Sequence, residues 1–340
     1  MNATKLMSPP LAASDERPTS TPMRAKDFLN ALGLYLTEPV GSFLLASMAV
    51  GLKPLLIGLP GMAKTMLAQR LGEVLAPGAT KTLDASTSSF DEIRGYIQPD
   101  SLREGRVQIV PGPWSVYEDR LLFVDELSRA PVYAQSRWLQ LIHEHRVDGK
   151  ETALEWVIAA MNPPNTEGCF GLGTATADRF HLAVQLDTVQ GLGYDTLLAI
   201  ANSAAFQVTD VLVDSLRPAM LTWMRDVRTC YDDLLADDIS RQALNMLAVE
   251  AVLAWSKAHP WQPQGRRIVS LVKLFALTRA MLSVEHGPDN AGRLYGSQIR
   301  NVVTLGLGNI ARATDAPEAD TRAAIRATQT AVLPFSAHLS

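Results

Sequence analysis

Five short strand-like runs mark the first part of the chain: Pro54-Leu-Leu-Ile57, the more polar Lys81-Thr-Leu-Asp84, Leu121-Leu-Phe-Val124, Glu155-Trp-Val-Ile-Ala-Ala160 and His181–Leu186. Most are apolar on successive positions rather than alternating. That is the pattern of strands buried on both faces, as in a parallel sheet. Between and before them, apolar residues recur at three- and four-residue spacing. Phe28, Leu29, Leu32, Tyr35 and Leu36 form one such set, and Val40, Phe43, Leu44 and Met48 a second. Val132, Trp138, Leu139 and Ile142, with Gln135 on the same face, form a third, over 131–145. Each predicts a helix with one buried face. After Asp187 the strand pattern stops. Helices are predicted over 193–205, 210–232, 238–258, 265–285 and 291–313, and more weakly over 317–331. The chain therefore divides into an expected leader (1–23, with four prolines among Ser, Thr and Ala), an α/β part (24–190), a linker (191–209) and an all-α part (210–340).

The first strand runs into Gly58-Leu-Pro-Gly-Met-Ala-Lys-Thr65. This has the spacing of a phosphate-binding loop, G-x-x-x-x-G-K-[ST], with Ala63 in place of the second Gly. A polyphosphate needs backbone N–H groups aimed at it, and little side-chain bulk in the way. Gly58, Pro60, Gly61, Met62, Ala63 and Met66 would surround it, helped by the N-terminal end of the following helix. Lys64 would reach the β/γ-phosphates of ATP, and the Thr65 hydroxyl would ligate Mg²⁺.

Two later strands end in polar groups, where ligands gather in parallel sheets. Asp125 and Glu126 follow Leu121–Val124: Asp125 to hold Mg²⁺, Glu126 to orient or deprotonate water. Asn162 closes the Glu155–Met161 run. It either holds that water or the γ-phosphate, or is a turn-forming Asn before Pro163. Arg179 is either a surface residue or a cation lent to a neighbouring subunit's nucleotide. Arg266 and Arg267 head a helix, where the dipole disfavours cations, so a phosphate partner and a plain surface pair both remain open. His143-Glu144-His145 is expected to be a solvated helix end. Residues 85–117, rich in Gly and Pro, read as an insertion with a small hairpin, and Asp148-Gly149 marks a second hairpin.

Composition narrows the class. The 340 residues are 47% hydrophobic and carry a net charge of −4, with no long Lys/Arg run, so nothing in the composition points to a nucleic-acid partner. Cys169 and Cys230 form no C-x-x-C pair, which suggests neither a zinc site nor a disulfide framework. A cytoplasmic location is expected, because no apolar run reaches membrane-spanning length and the N-terminus lacks the apolar core of a signal peptide.

Taken together, the loop, Leu121–Ala130, Gln135 through Leu141–Val147, Ala159-Ala-Met-Asn-Pro163, Glu167-Gly168 and Ala177-Asp-Arg-Phe180 resemble the AAA+ ATPases, and among them the MoxR family. The resemblance covers about residues 30–187 and continues loosely around Gln264–Arg267. It implies a five-stranded parallel sheet of order 5-1-4-3-2 with a small helical lid. It further implies Asn162 as the sensor residue, Arg179 as an arginine finger acting in trans, Arg266 (or Arg267) as the lid's sensor arginine, and Arg129 near a subunit interface. Such proteins form rings, usually hexamers. They often act with a von Willebrand factor A-domain partner and remodel or activate client proteins. A nucleotide-gated scaffold with little hydrolysis is the alternative from another class.

Overall fold

The computed structural model describes residues 23–186, 193–202 and 208–339. Nine strands occur among them: β1 (Pro54–Ile57), β2 (Thr80–Asp84), β3 (Tyr96–Ile97), β4 (Ile109–Val110), β5 (Leu121–Asp125), β6 (Arg146–Val147), β7 (Lys150–Glu151), β8 (Trp156–Met161) and β9 (Leu182–Gln185). Five of them make one sheet in the order β2-β5-β8-β1-β9, parallel throughout. The numbering differs from the expected 5-1-4-3-2 because two short hairpins, β3-β4 and β6-β7, interrupt the count. The five sheet strands, numbered by themselves from the β9 edge, run 5-1-4-3-2.

The central strands are buried along nearly their whole length, with only the end residues Asp125 and Trp156 half-buried, which is why their sequences are continuously apolar. Their register brings the carboxyl ends into line: Ile57 pairs with Met161, and Asp84 with Asp125. Whatever follows those residues is thereby collected along one edge of the sheet.

The helices Ala25–Ala31, Val40–Ala49, Lys64–Leu75 and Val132–Glu144 accompany the sheet. The C-terminal region is helical: Asp210–Ala236, Asp238–Ala258, Gly265–His286, Pro288–Val303, Asn309–Ala313 and Glu318–Val332. The helix expected over 291–313 is interrupted by a π turn at Thr304–Gly308. Packing explains the glycine there. A Cβ on Gly306 would lie 2.8 Å from both Leu271 Cδ2 and Leu274 Cδ1, so only glycine lets the two helices approach. A short helix, Thr174–Ala177, precedes β9 and ends before Asp178. The leader expected over 1–23 lies outside the described residues apart from Met23, as do parts of the expected linker, of which the helix Tyr194–Asn202 is described. No helix among the described residues is long and apolar enough to cross a membrane.

Candidate functional site

The turn after β1 presents the loop Gly58–Thr65. Gly58 sits where a Cβ would press within 3.3 Å of Leu186 Cβ. Gly61 and Ala63 both have positive φ, 82° and 56°. Ala63 therefore occupies, with a side chain, the left-handed conformation that glycine normally supplies, at a cost of about 1–2 kcal/mol. It is also the residue from which the helix Lys64–Leu75 starts.

Lys64 is buried, and its ammonium is fully engaged. Nζ donates to Gly58 O (2.7 Å), to Leu59 O (3.3 Å) and to Asn162 Oδ1 (2.9 Å). Burial lowers its pKa, while the nearby carboxylates of Asp125 and Glu126 act in the opposite sense. The Thr65 hydroxyl donates to Asp125 Oδ2 (2.9 Å), and Asp125 Oδ1 accepts the Glu126 backbone N–H (2.8 Å). Hydroxyl and carboxylate oxygens are the donor set that Mg²⁺ takes, so these residues fit the ion that the loop implies.

Asn162 completes the group. Its carbonyl faces Lys64, which turns its amide toward Glu126, and Nδ2 donates to Glu126 Oε2 (2.9 Å). Glu126 lies just past β5 with φ 55°, a second non-glycine left-handed residue at this edge. Lys64, Thr65, Asp125, Glu126 and Asn162 thus form one hydrogen-bonded assembly at the carboxyl edge of the sheet.

Arg179 and Arg266 are not part of that assembly. They line a different cavity, of about 320 Å³, together with His143, Asp178, His181 and Ser270, and no residue of the phosphate loop reaches it. Neither guanidinium makes a hydrogen bond or ion pair among the described residues. Arg267 is the opposite case. It is fully buried and donates to Asp178 Oδ1 (2.9 Å) and to the carbonyls of Phe180, His181, Gly306 and Ala177. All its hydrogen-bonding capacity goes into joining the β9 side of the sheet to the π turn of the helical region. Of the two neighbouring arginines, Arg266 is therefore the one free to meet a ligand.

The solvated helix end expected at 143–145 is corrected by the structure. Glu144 is exposed, but His143 is half-buried in the cavity, and His145 accepts from Lys53 through Nε2 while its Nδ1 donates to Leu154 O. Burial, and then the Lys53, Arg179 and Arg266 cations, push His143 down to about 4, and burial with Lys273 pushes His181 down to about 3. Lys53 is lowered to about 8, mainly by burial. His143 Nε2 and Asp178 Oδ2 are buried without a hydrogen-bond partner among the described residues. Helical periodicity misled here: positions two apart do point to different faces, yet the chain leaves the helix at His145 with φ 53°, which brings that ring back to the protein. Ser128 was also missed. Its hydroxyl accepts the Asn162 N–H (3.3 Å), a contact across 34 residues that no local pattern signals.

Residues 53–182 match the sequence model of the ATPase family associated with various cellular activities (AAA). That span contains the phosphate loop, Asp125, Glu126, Asn162 and Arg179, but not Arg266. Comparison with curated proteins finds no match. Among solved structures, the chain is similar to a crystal structure of a protein from Cytophaga hutchinsonii provisionally assigned as an ATPase. The TM-score is 0.54 at 17% identity, over 79% of this chain and 84% of that one. At that identity the likeness is one of fold.

Proposed function

With an AAA-family ATPase domain over residues 53–182 as the premise, we propose that the chain is a MoxR-type, ring-forming enzyme that hydrolyses ATP to remodel or activate partner proteins. The observation that carries the hydrolytic part is the chain of contacts from Lys64 through Asn162 to Glu126. A phosphate-binding cation and a carboxylate base are held a single amide apart, so a γ-phosphate at Lys64 would lie beside the water that Glu126 orients. Thr65 and Asp125 would hold Mg²⁺, which neutralises developing phosphate charge when bound. The ring part rests on the second cavity. Arg179 and Arg266 line a surface that contains none of this chain's phosphate-binding groups, so the nucleotide they serve would be bound by a neighbouring copy. A hexamer, a cytoplasmic location, a von Willebrand factor A-domain partner and a protein client complete the reading, on the strength of the sequence resemblance.

The test is ATP turnover with Mg²⁺ for the native chain and Glu126→Gln. The variant should bind ATP yet lose turnover by about 10²–10⁴-fold, the usual worth of a positioned general base. Equal rates in the two chains would remove Glu126 from the mechanism. Very slow native turnover with tight ATP-dependent assembly would favour the scaffold instead.

A further inference from the structure

The turn that carries Glu126 is fastened to the loop after β8 at several points. Ser128 Oγ accepts the Asn162 N–H, and Ser128 O accepts the Phe170 N–H (3.0 Å). Arg129 closes the same turn from the side. Its Nε lies 3.2 Å from Glu126 Oε2. Glu126 Oε2 therefore accepts a hydrogen bond from Asn162 Nδ2 and is ion-paired with Arg129 Nε, while Oε1 makes no hydrogen bond among the described residues. The two carboxylate oxygens are thus inequivalent: one is anchored and the other is available to accept a proton.

We propose that Arg129 is a positioning residue for Glu126 within the same chain. By clamping Oε2 with Asn162, it leaves Oε1 as the atom that faces the attacking water. The inference rests on the ATPase reading and assigns to Arg129 a role other than the subunit contact that the sequence resemblance implies. The physical reason for such a clamp lies in the backbone. Glu126 sits on a left-handed turn at the end of a strand, and its flexible side chain would otherwise sample several rotamers in a partly open site. An exposed ion pair adds little to stability. Its effect here is on geometry, where a displacement of about 1 Å can cost ~10²-fold in rate.

The experiment uses the full-length chain and compares native, Arg129→Ala, Arg129→Lys, Glu126→Gln and the double variant Arg129→Ala/Glu126→Gln. Each is measured for kcat, KM for ATP, and ATP-dependent assembly by sedimentation. Arg129→Ala is expected to lower kcat by ~10–10²-fold with KM and assembly unchanged, and Arg129→Lys to recover part of that loss. Added to Glu126→Gln, Arg129→Ala should cause no further loss, because both substitutions disable the same carboxylate. Native-like kcat in Arg129→Ala overturns the inference and leaves the ATPase reading standing. A loss that accompanies weakened assembly, or that adds to the Glu126→Gln defect, also overturns it, in favour of a subunit contact. A native chain without turnover overturns the ATPase reading and this inference together.

Discussion

The two regions that carry the candidate chemistry are built in opposite ways. At the carboxyl edge of the sheet, Lys64, Thr65, Asp125, Glu126 and Asn162 satisfy one another. In the cavity beside β9, Arg179 and Arg266 make no hydrogen bond or ion pair among the described residues, and two buried polar atoms nearby, His143 Nε2 and Asp178 Oδ2, are also unmatched among them. Buried polar groups are nearly always paired; Lys64 and Asn162 in the first region follow that rule, and these two atoms of the second do not. The cavity also contains its own support. Arg267 ties Asp178, which precedes Arg179, to the helix that bears Arg266, so both free arginines are presented from one locked junction. The phosphate-binding group and the two arginines thus lie at separate places on one chain, the placement from which the proposed ring of identical subunits is argued.

The comparison is sharpest in substitutions that treat the two regions differently. Lys64→Ala should abolish ATP binding. Arg179→Ala should leave binding intact and lower kcat by ~10³-fold or more, the scale of a trans arginine in phosphoryl transfer; equilibrium binding of a fluorescent ATP analogue beside steady-state turnover separates the two. Next in size is a stability effect confined to the junction. Arg267→Met strands the Asp178 carboxylate in a buried site and should cost about 3–5 kcal/mol in urea unfolding. Arg266→Ala, at an exposed position one residue away, should stay within about 0.5 kcal/mol.

A smaller effect is set by pH. His143 and His181 are held well below the ordinary histidine value of 6.5 in the folded chain. The unfolded chain therefore binds more protons than the folded one once the pH falls below about 6.5, and stability must decline from there toward 4. The urea midpoint should be lower at pH 5 than at pH 7, and His143→Gln should flatten that dependence. An unchanged slope would mean that the cavity does not hold this ring neutral. Smallest of all, Ala63→Gly relieves a left-handed alanine but frees the unfolded chain, so melting should move by no more than about 1 kcal/mol in free energy.

The half-site was far more legible in the sequence than the cavity, for a physical reason. Gly58–Thr65 and Leu121–Glu126 are local patterns, in which the chemistry lies a few residues from the strand that positions it. Reading them required only the rule that ligands sit at strand carboxyl ends. The helical region was legible as elements too, since Asp238–Ala258 and Gly265–His286 follow plain periodicity. Contacts between distant segments were not. Arg267 meets Asp178 across 89 residues, so nothing local distinguished it from exposed Arg266. The close approach of Gly306, within the π turn Thr304–Gly308, to Leu271 and Leu274 was hidden for the same reason: its partners lie on another helix.

The central claim, that a working site is divided between two copies, is tested most directly by mixing two disabled chains. Glu126→Gln keeps its Arg179 but lacks the base; Arg179→Ala keeps the base but lacks the finger. Each alone should turn over ATP slowly. Mixed and allowed to exchange subunits, they should recover turnover, because an intact Glu126 on one copy then meets an intact Arg179 on the next. Activity of the mixture equal to the sum of the two variants alone, under conditions where mixed assemblies form, would contradict the account and place the whole reaction within a single chain.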